Sequence, residues 1–377
     1  MDVRELSQRE PFLELTAATL GPAFGQMFGR DYQLRVDGHG EQQWLSLPPL
    51  HGFFTRDAGA EVRRFLKNGF RHTAVNSRRI PQFVLGTLLG GRYAMRSLGR
   101  PVFSVSPGVP NAAARLVMPG NQRYRIFDFD TWTTRVIAKN GFGNRGVAGE
   151  IRFRSRFAGP FLPLLRSSSS LDWYEEPLVD GYPVARCPPW LDAAAAVRAA
   201  REQLATFAEQ TARDVDRREY VDAIASKLER SDDLLGARFA EAPRVGDPVR
   251  RLRALAVVGP RELRVAQSHG DLQDGNILIV PHSNPVIIDW EHAGERSRRY
   301  DEWVYTLGTR RFRRRSRLVA EGERVRSAEA AEFAVFLLEE AHFYMGEALS
   351  GPFSQLPATW SGFVADLNLV ADILCST

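Results

Sequence analysis

Asp271, Asn276 and Asp289 stand beside apolar runs in "HGDLQDGNILIV" (269–280) and "IDWEHAG" (288–294). These residue types suit transfer of a phosphoryl group from ATP. That reaction needs a carboxylate to orient the acceptor hydroxyl and hard oxygen ligands for Mg²⁺ on the β- and γ-phosphates. It also needs a cation on the α- and β-phosphates. Asp271, in a loop, is placed to accept the hydroxyl proton. Asn276 follows five residues later, within reach of the same metal centre. "NILIV" and "PVIID" flank the turn "PHSN", so antiparallel pairing of the two runs would return Asp289 beside Asn276. Apolar strands would then hold both ligands rigidly, as catalysis by positioning requires.

The stretch "HGDLQDGNILI…VIIDWEHAG", residues 269–294, resembles the catalytic and metal loops of the aminoglycoside phosphotransferase/choline kinase family, relatives of the protein kinases. The resemblance implies an ATP- and Mg²⁺-dependent phosphotransferase acting on a hydroxyl of a small molecule. By it, Asp271 is the catalytic base, His269 braces the loop, and Asn276 and Asp289 are Mg²⁺ ligands. The family has His-Pro where this chain has Gln273-Asp274, which adds a carboxylate and loosens inference about the acceptor.

A kinase-like chain also implies an N-lobe lysine and a helical glutamate. Lys139 ends "RVIAK" and is one of three lysines among 50 basic residues. Glu150, eleven residues on, is its expected partner, with Glu175 and Glu176 as more remote substitutes. Gly120 and Asn121 in "MPGNQRY" are expected to cover the phosphates; "SPGVPNAAA" (106–114) is the rival. "YEEPLVDGYP" (174–183) resembles the family's hinge, where main-chain groups around Glu176 and Leu178 would meet the adenine edge. Asp301, in "RRYDEWVY", is expected to tie the C-lobe together.

The elements that must position these residues suggest an α+β chain with a two-lobed, protein-kinase-like fold. Residues 1–100 read as an N-terminal extension, 101–185 as a small antiparallel-sheet N-lobe with one helix, and 186–377 as a mainly helical C-lobe. "PVFSVS", "AARLVMPGNQRYRIFDFD" and "TTRVIAK" are strand-like, and a helix is expected from about Val147. "PQFVLGTLLGGRYAM" (81–95) falls short of the roughly 20 apolar residues of a membrane span and reads as a buried helix, with a membrane-surface helix as the alternative.

Composition narrows the partners. A formal charge of +5 is too weak to indicate nucleic acid, and two cysteines exclude a disulfide framework or a Cys-based zinc site. The expected setting is cytoplasmic, with possible association at the membrane's cytoplasmic face. Clues to the acceptor conflict. Glu339, Glu340 and Glu347 on a C-terminal helix would suit a cationic amino sugar, whereas "TRRFRRRSR" (309–317) would suit an anionic sugar, a lipid phosphate or plain solvent. Two rival functions are a kinase of a lipid-linked or polysaccharide acceptor at the membrane and a silent nucleotide-binding pseudokinase.

Overall fold

In the computed structural model the described residues are 10–36, 40–47, 52–71, 79–89, 91–310, 314–325, 328–350, 356 and 358–376. They form two compact units, 1–200 with 274–291, and 201–273 with 292–377.

In the first unit, Phe12, Leu20 and Phe24 recur on the buried side of α1 (Phe12–Phe28), which stops at Gly29 with φ 71°. Three short strands follow: β1 (Gln33–Arg35), β2 (Gln42–Ser46) and β3 (Phe53–Thr55). Then come α2 (Ala60–Arg71), α3 (Arg79–Leu89), α4 (Arg92–Leu98) and β4 (Arg100–Ser106). The expected strands appear as β5 (Arg115–Pro119), β6 (Arg123–Asp128) and β7 (Thr133–Ala138). The expected helix is α5 (Arg145–Arg156), and β8 (Arg166–Ser167), β9 (Trp173–Pro177) and β10 (Tyr182–Pro183) follow it.

Nine of these strands make one antiparallel sheet among the described residues, in the order β1-β4-β2-β3-β5-β6-β7-β9-β8. Residues before 101 are thus part of the sheet rather than a separate appendage, because β1 to β4 extend it past β5. Side-chain alternation gives the sheet two distinct faces. Tyr124, Ile126 and Ile137 pack against Phe12 and Phe24 of α1, while Val136 and Tyr174 pack against Val147 and Ile151 of α5.

Helix α3 departs from its expected burial. Ile80, Phe83, Val84 and Leu88, one stripe at helical spacing, are exposed, Ile80 to 79%. No described helix is long and apolar enough to cross a membrane.

The division between the units falls within α6 (Ala193–Thr211). Beyond it come β11 (Arg213–Asp216), α7 (Arg217–Arg238), α8 (Gly246–Ala256) and β12 (Glu262–Ser268). The expected hairpin, β13 (Ile277–Ile279) and β14 (Val286–Ile287), groups with the first unit, where β13 also pairs with β10. The second unit resumes with β15 (Gly294–Ser297) and α9 (Tyr300–Leu307). It ends with α10 (Arg314–Arg324), α11 (Ala328–Leu349) and α12 (Ala358–Cys375). Its core is helical, with Val221, Leu228, Leu252, Trp303, Phe336 and Trp360 all buried. Burying each such large side chain is worth about 1.5–3 kcal/mol, so the small sheet β11-β12-β15 rests on a firm base.

Candidate active site

Strand β12 ends at Ser268 and delivers His269, Gly270 and Asp271 into a bracketed loop. The Asp301 carboxylate, at the start of α9, accepts the His269 N–H at 2.7 Å and the Gly270 N–H at 2.9 Å. His269 is fully buried, and its Nδ1 accepts the Asp271 N–H at 3.2 Å. Gly270 has φ +84°, and a Cβ there would lie 2.1 Å from the His292 carbonyl oxygen, so only glycine fits. Asp301 thus holds two successive amides of this loop, and His269 lies buried within it.

Both carboxylate oxygens of Asp271 are engaged. Gln273 Nε2 donates to Oδ2 at 3.0 Å, and Arg310 Nε donates to Oδ1 at 2.8 Å. Arg310 also donates to both Glu340 oxygens, at 2.6 and 3.1 Å, and to the Gly270 carbonyl at 3.2 Å. Its guanidinium lies 3.6 Å from the centre of the Phe343 ring. Burial opposes the charge on Arg310, but Glu340 foremost holds its pKa well above the ordinary value. The first arginine of "TRRFRRRSR" is therefore an interior residue. Arg315 and Arg317 are exposed, and 311–313 lie outside the described residues.

The carboxylates expected to greet an amino sugar are also committed. Glu339 accepts from Tyr220, the Ser297 N–H and the Ser297 hydroxyl, each at 2.6 Å. Glu340 is 1% exposed and also bonds the Tyr300 hydroxyl. Both are structural groups of α11. Glu347 lies 3.7 Å from His292 Nε2.

In the first unit the hairpin places the two expected metal ligands. Ile277 pairs with Ile287, and the Ile288 N–H donates to the Asn276 carbonyl at 3.0 Å, so Asn276 lies alongside Ile288 and Asp289. Asp289 has φ 75°, a left-handed conformation uncommon outside glycine. The next residue, Trp290, is 1% exposed, stacks on Phe153 at 5.8 Å and donates to the Ile287 carbonyl at 3.0 Å.

A cluster of charges surrounds Asp289. Arg123 pairs with its Oδ1, and Arg125 Nη2 lies 3.1 Å from Oδ2. Arg123 also donates to Glu150 at 3.0 Å and lies 3.2 Å from Glu291. Arg154 links Glu150, at 3.0 Å, to Glu176, at 2.8 Å. Burial works against the charge on Arg123, yet Glu291 and Glu150 hold its pKa above the ordinary arginine value. Burial, and next the Arg123 charge, push Arg125 down. Burial raises Glu176, against the pull of Arg154.

Asn276 and Asp289 fit a Mg²⁺ ion by type, since both offer hard oxygen donors. Among the described residues no group of three or more His, Cys, Asp and Glu side chains is arranged for a metal. Were Mg²⁺ to bind here, this Asn–Asp pair is what the protein would offer it.

The structure does not bring Lys139 and Glu150 together. Lys139 is 1% exposed, and its ammonium lies 2.5 Å from Glu10 with the Phe12, Tyr124 and Phe142 rings around it. The physical reason is strand parity. Ile137 and Lys139 turn toward α1, whereas Val136 turns toward α5, which carries Glu150. Glu150 is paired instead to Arg123 and Arg154. Gly120 sits in the tight β5–β6 turn, where its N–H donates to the Arg123 carbonyl at 2.8 Å, and Asn121 is the next residue of that turn. In the expected hinge, the Leu178 N–H already donates to the Trp132 carbonyl at 2.8 Å, and the Glu176 side chain is held by Arg154.

Sequence reasoning missed Arg123, Arg125, Gln273 and Arg310. The one signal for the first pair was their alternation in "RYRIF", which sets both on the face opposite Tyr124 and Ile126.

No family model and no curated protein matches the chain. It is similar to a solved choline/ethanolamine kinase family protein from Mesorhizobium loti, at 14% identity and TM-score 0.44, covering 69% of this chain and 92% of that one. It is similar to an aminoglycoside phosphotransferase solved as a thermostable mutant in ternary complex with ADP and hygromycin B, at 14% identity and TM-score 0.46, covering 70% and 95%. A Plasmodium vivax ethanolamine kinase matches at 12% identity and TM-score 0.41, covering 84% and 95%.

Proposed function

We propose that the protein transfers the γ-phosphoryl group of ATP, with Mg²⁺, to a hydroxyl of a small molecule. The observation that carries this reading is the β13–β14 hairpin, which sets Asn276 alongside Asp289. Asp271, five residues before Asn276, is held by a bracket of its own.

In this reading Asp271 orients the acceptor hydroxyl and takes its proton as the new oxygen–phosphorus bond forms and the bond to the ADP oxygen breaks. Arg310 and Gln273 fix the direction of the carboxylate. Asn276 and Asp289 hold Mg²⁺, which when bound neutralises phosphate charge. Catalysis of this kind rests on positioning and charge. The acceptor is a hydroxyl compound of the sugar, aminoglycoside-like or amino-alcohol type. The buried, committed state of Glu339 and Glu340 removes two of the three carboxylates that favoured a cationic one.

Binding measurements test the assignment of roles. Asp289→Ala should abolish the Mg²⁺ dependence of ADP binding followed by calorimetry, while Asp271→Ala should leave it unchanged. Wild-type Mg²⁺ dependence in Asp289→Ala would remove Asp289 as a ligand.

A further inference from the structure

Resting on that reading, we propose that the nucleotide's phosphates are gripped by Arg123 and Arg125 of β6, and that Lys139 is not part of the site. Three observations carry the assignment.

The first is the face of the sheet. Arg123 pairs across the strands with Ala138, and Arg125 with Val136. Val136 packs on α5, the helix that carries Glu150. Lys139 faces α1 and is closed in by Glu10, Phe12 and Tyr124.

The second is connectivity. A phosphate-gripping cation needs one carboxylate as a fixed anchor and a free hand toward the metal ligand. Arg123 is the side chain that joins Glu150 to Asp289, and it does so at 4% exposure. Arg125, 27% exposed, reaches the other oxygen of Asp289. Two planar guanidinium forks can each present a rigid, coplanar pair of N–H donors to phosphate oxygens, a geometry an ammonium lacks.

The third is charge. Glu150, Glu176, Asp289 and Glu291 are four carboxylates against the three guanidiniums of Arg123, Arg125 and Arg154, leaving one net negative charge. Such a cluster favours a divalent cation, and the guanidiniums within it are the groups that can take up the phosphate charge. When Mg²⁺-nucleotide binds, Arg123 and Arg125 exchange the Asp289 carboxylate for phosphate oxygens. Glu150 stays on Arg123 as the anchor.

Calorimetric titration of Mg²⁺-ADP and of adenosine into the full-length protein tests this. Arg125→Gln and Arg123→Met should each weaken ADP roughly ten- to hundredfold, the worth of a charge-assisted hydrogen bond, and leave adenosine unchanged. Lys139→Met should keep ADP affinity within about twofold while lowering the thermal unfolding midpoint. Arg123→Met disturbs a buried network, so the partly exposed Arg125→Gln decides the matter if Arg123→Met fails to fold. Wild-type ADP affinity in Arg125→Gln, or a tenfold loss confined to ADP in Lys139→Met, would overturn the assignment and leave the kinase reading standing. A wild-type protein that binds neither ADP nor adenosine would remove the kinase reading, and the assignment with it.

Discussion

Arg310 shows how one buried side chain can hold two carboxylates in place. It is buried between Asp271 and Glu340, with Phe343 beneath it. Removing it leaves Glu340 as a buried, uncompensated charge. Arg310→Met should therefore cost about 3–5 kcal/mol in denaturant unfolding, the range for breaking one partner out of a buried pair. A loss under 1 kcal/mol would show that water already screens the pair. The closeness of Asn276 and Asp289 was legible because the pairing that creates it is local. Arg310 was not, since a run of six arginines in nine residues reads as a solvated face and its compensating glutamate lies thirty positions away. Gln273, which stood out only as a departure from the family pattern, proves to hold Asp271 at 3.0 Å.

Strands and hairpins were the readable elements, because turn residues and alternation act over a few positions. The β5–β6 turn at Gly120 and the β13–β14 hairpin both form where the sequence placed them. What alternation cannot say is which of two faces a ligand will use. Lys139 ends a strand that looks like a kinase motif, but its parity turns it toward α1. There it forms a buried ion pair with Glu10. Glu10→Ala should destabilise the protein by about 3–5 kcal/mol, whereas Glu10→Leu combined with Lys139→Met should be neutral or more stable. Denaturant midpoints of the single and double variants would check this. Equal losses in both would mean that a stranded buried charge is not what costs stability.

For the whole molecule, composition and patterning were enough to expect an α+β chain, and the antiparallel sheet of the first unit and the helical second unit meet that expectation. The first hundred residues were not legible as sheet, because β1 and β3 are only three residues each and their partners lie far along the chain. The expected buried helix at 81–95 failed for a related reason: apolar content reports a preference for burial, and α3 shows its stripe to solvent. The charge clusters around Asp271 and Asp289 each combine an acid, a guanidinium and a rigid support, and the proposed phosphoryl transfer needs both. Phosphorus NMR of Mg²⁺-ATP with the protein and a panel of sugars, aminoglycosides and amino alcohols tests this most directly. With the right acceptor, the γ-phosphate signal should give way to ADP and a new phosphomonoester, and Asp271→Ala should slow this by a factor of about 10² or more. Equal rates of phosphomonoester formation in wild type and Asp271→Ala would contradict the account.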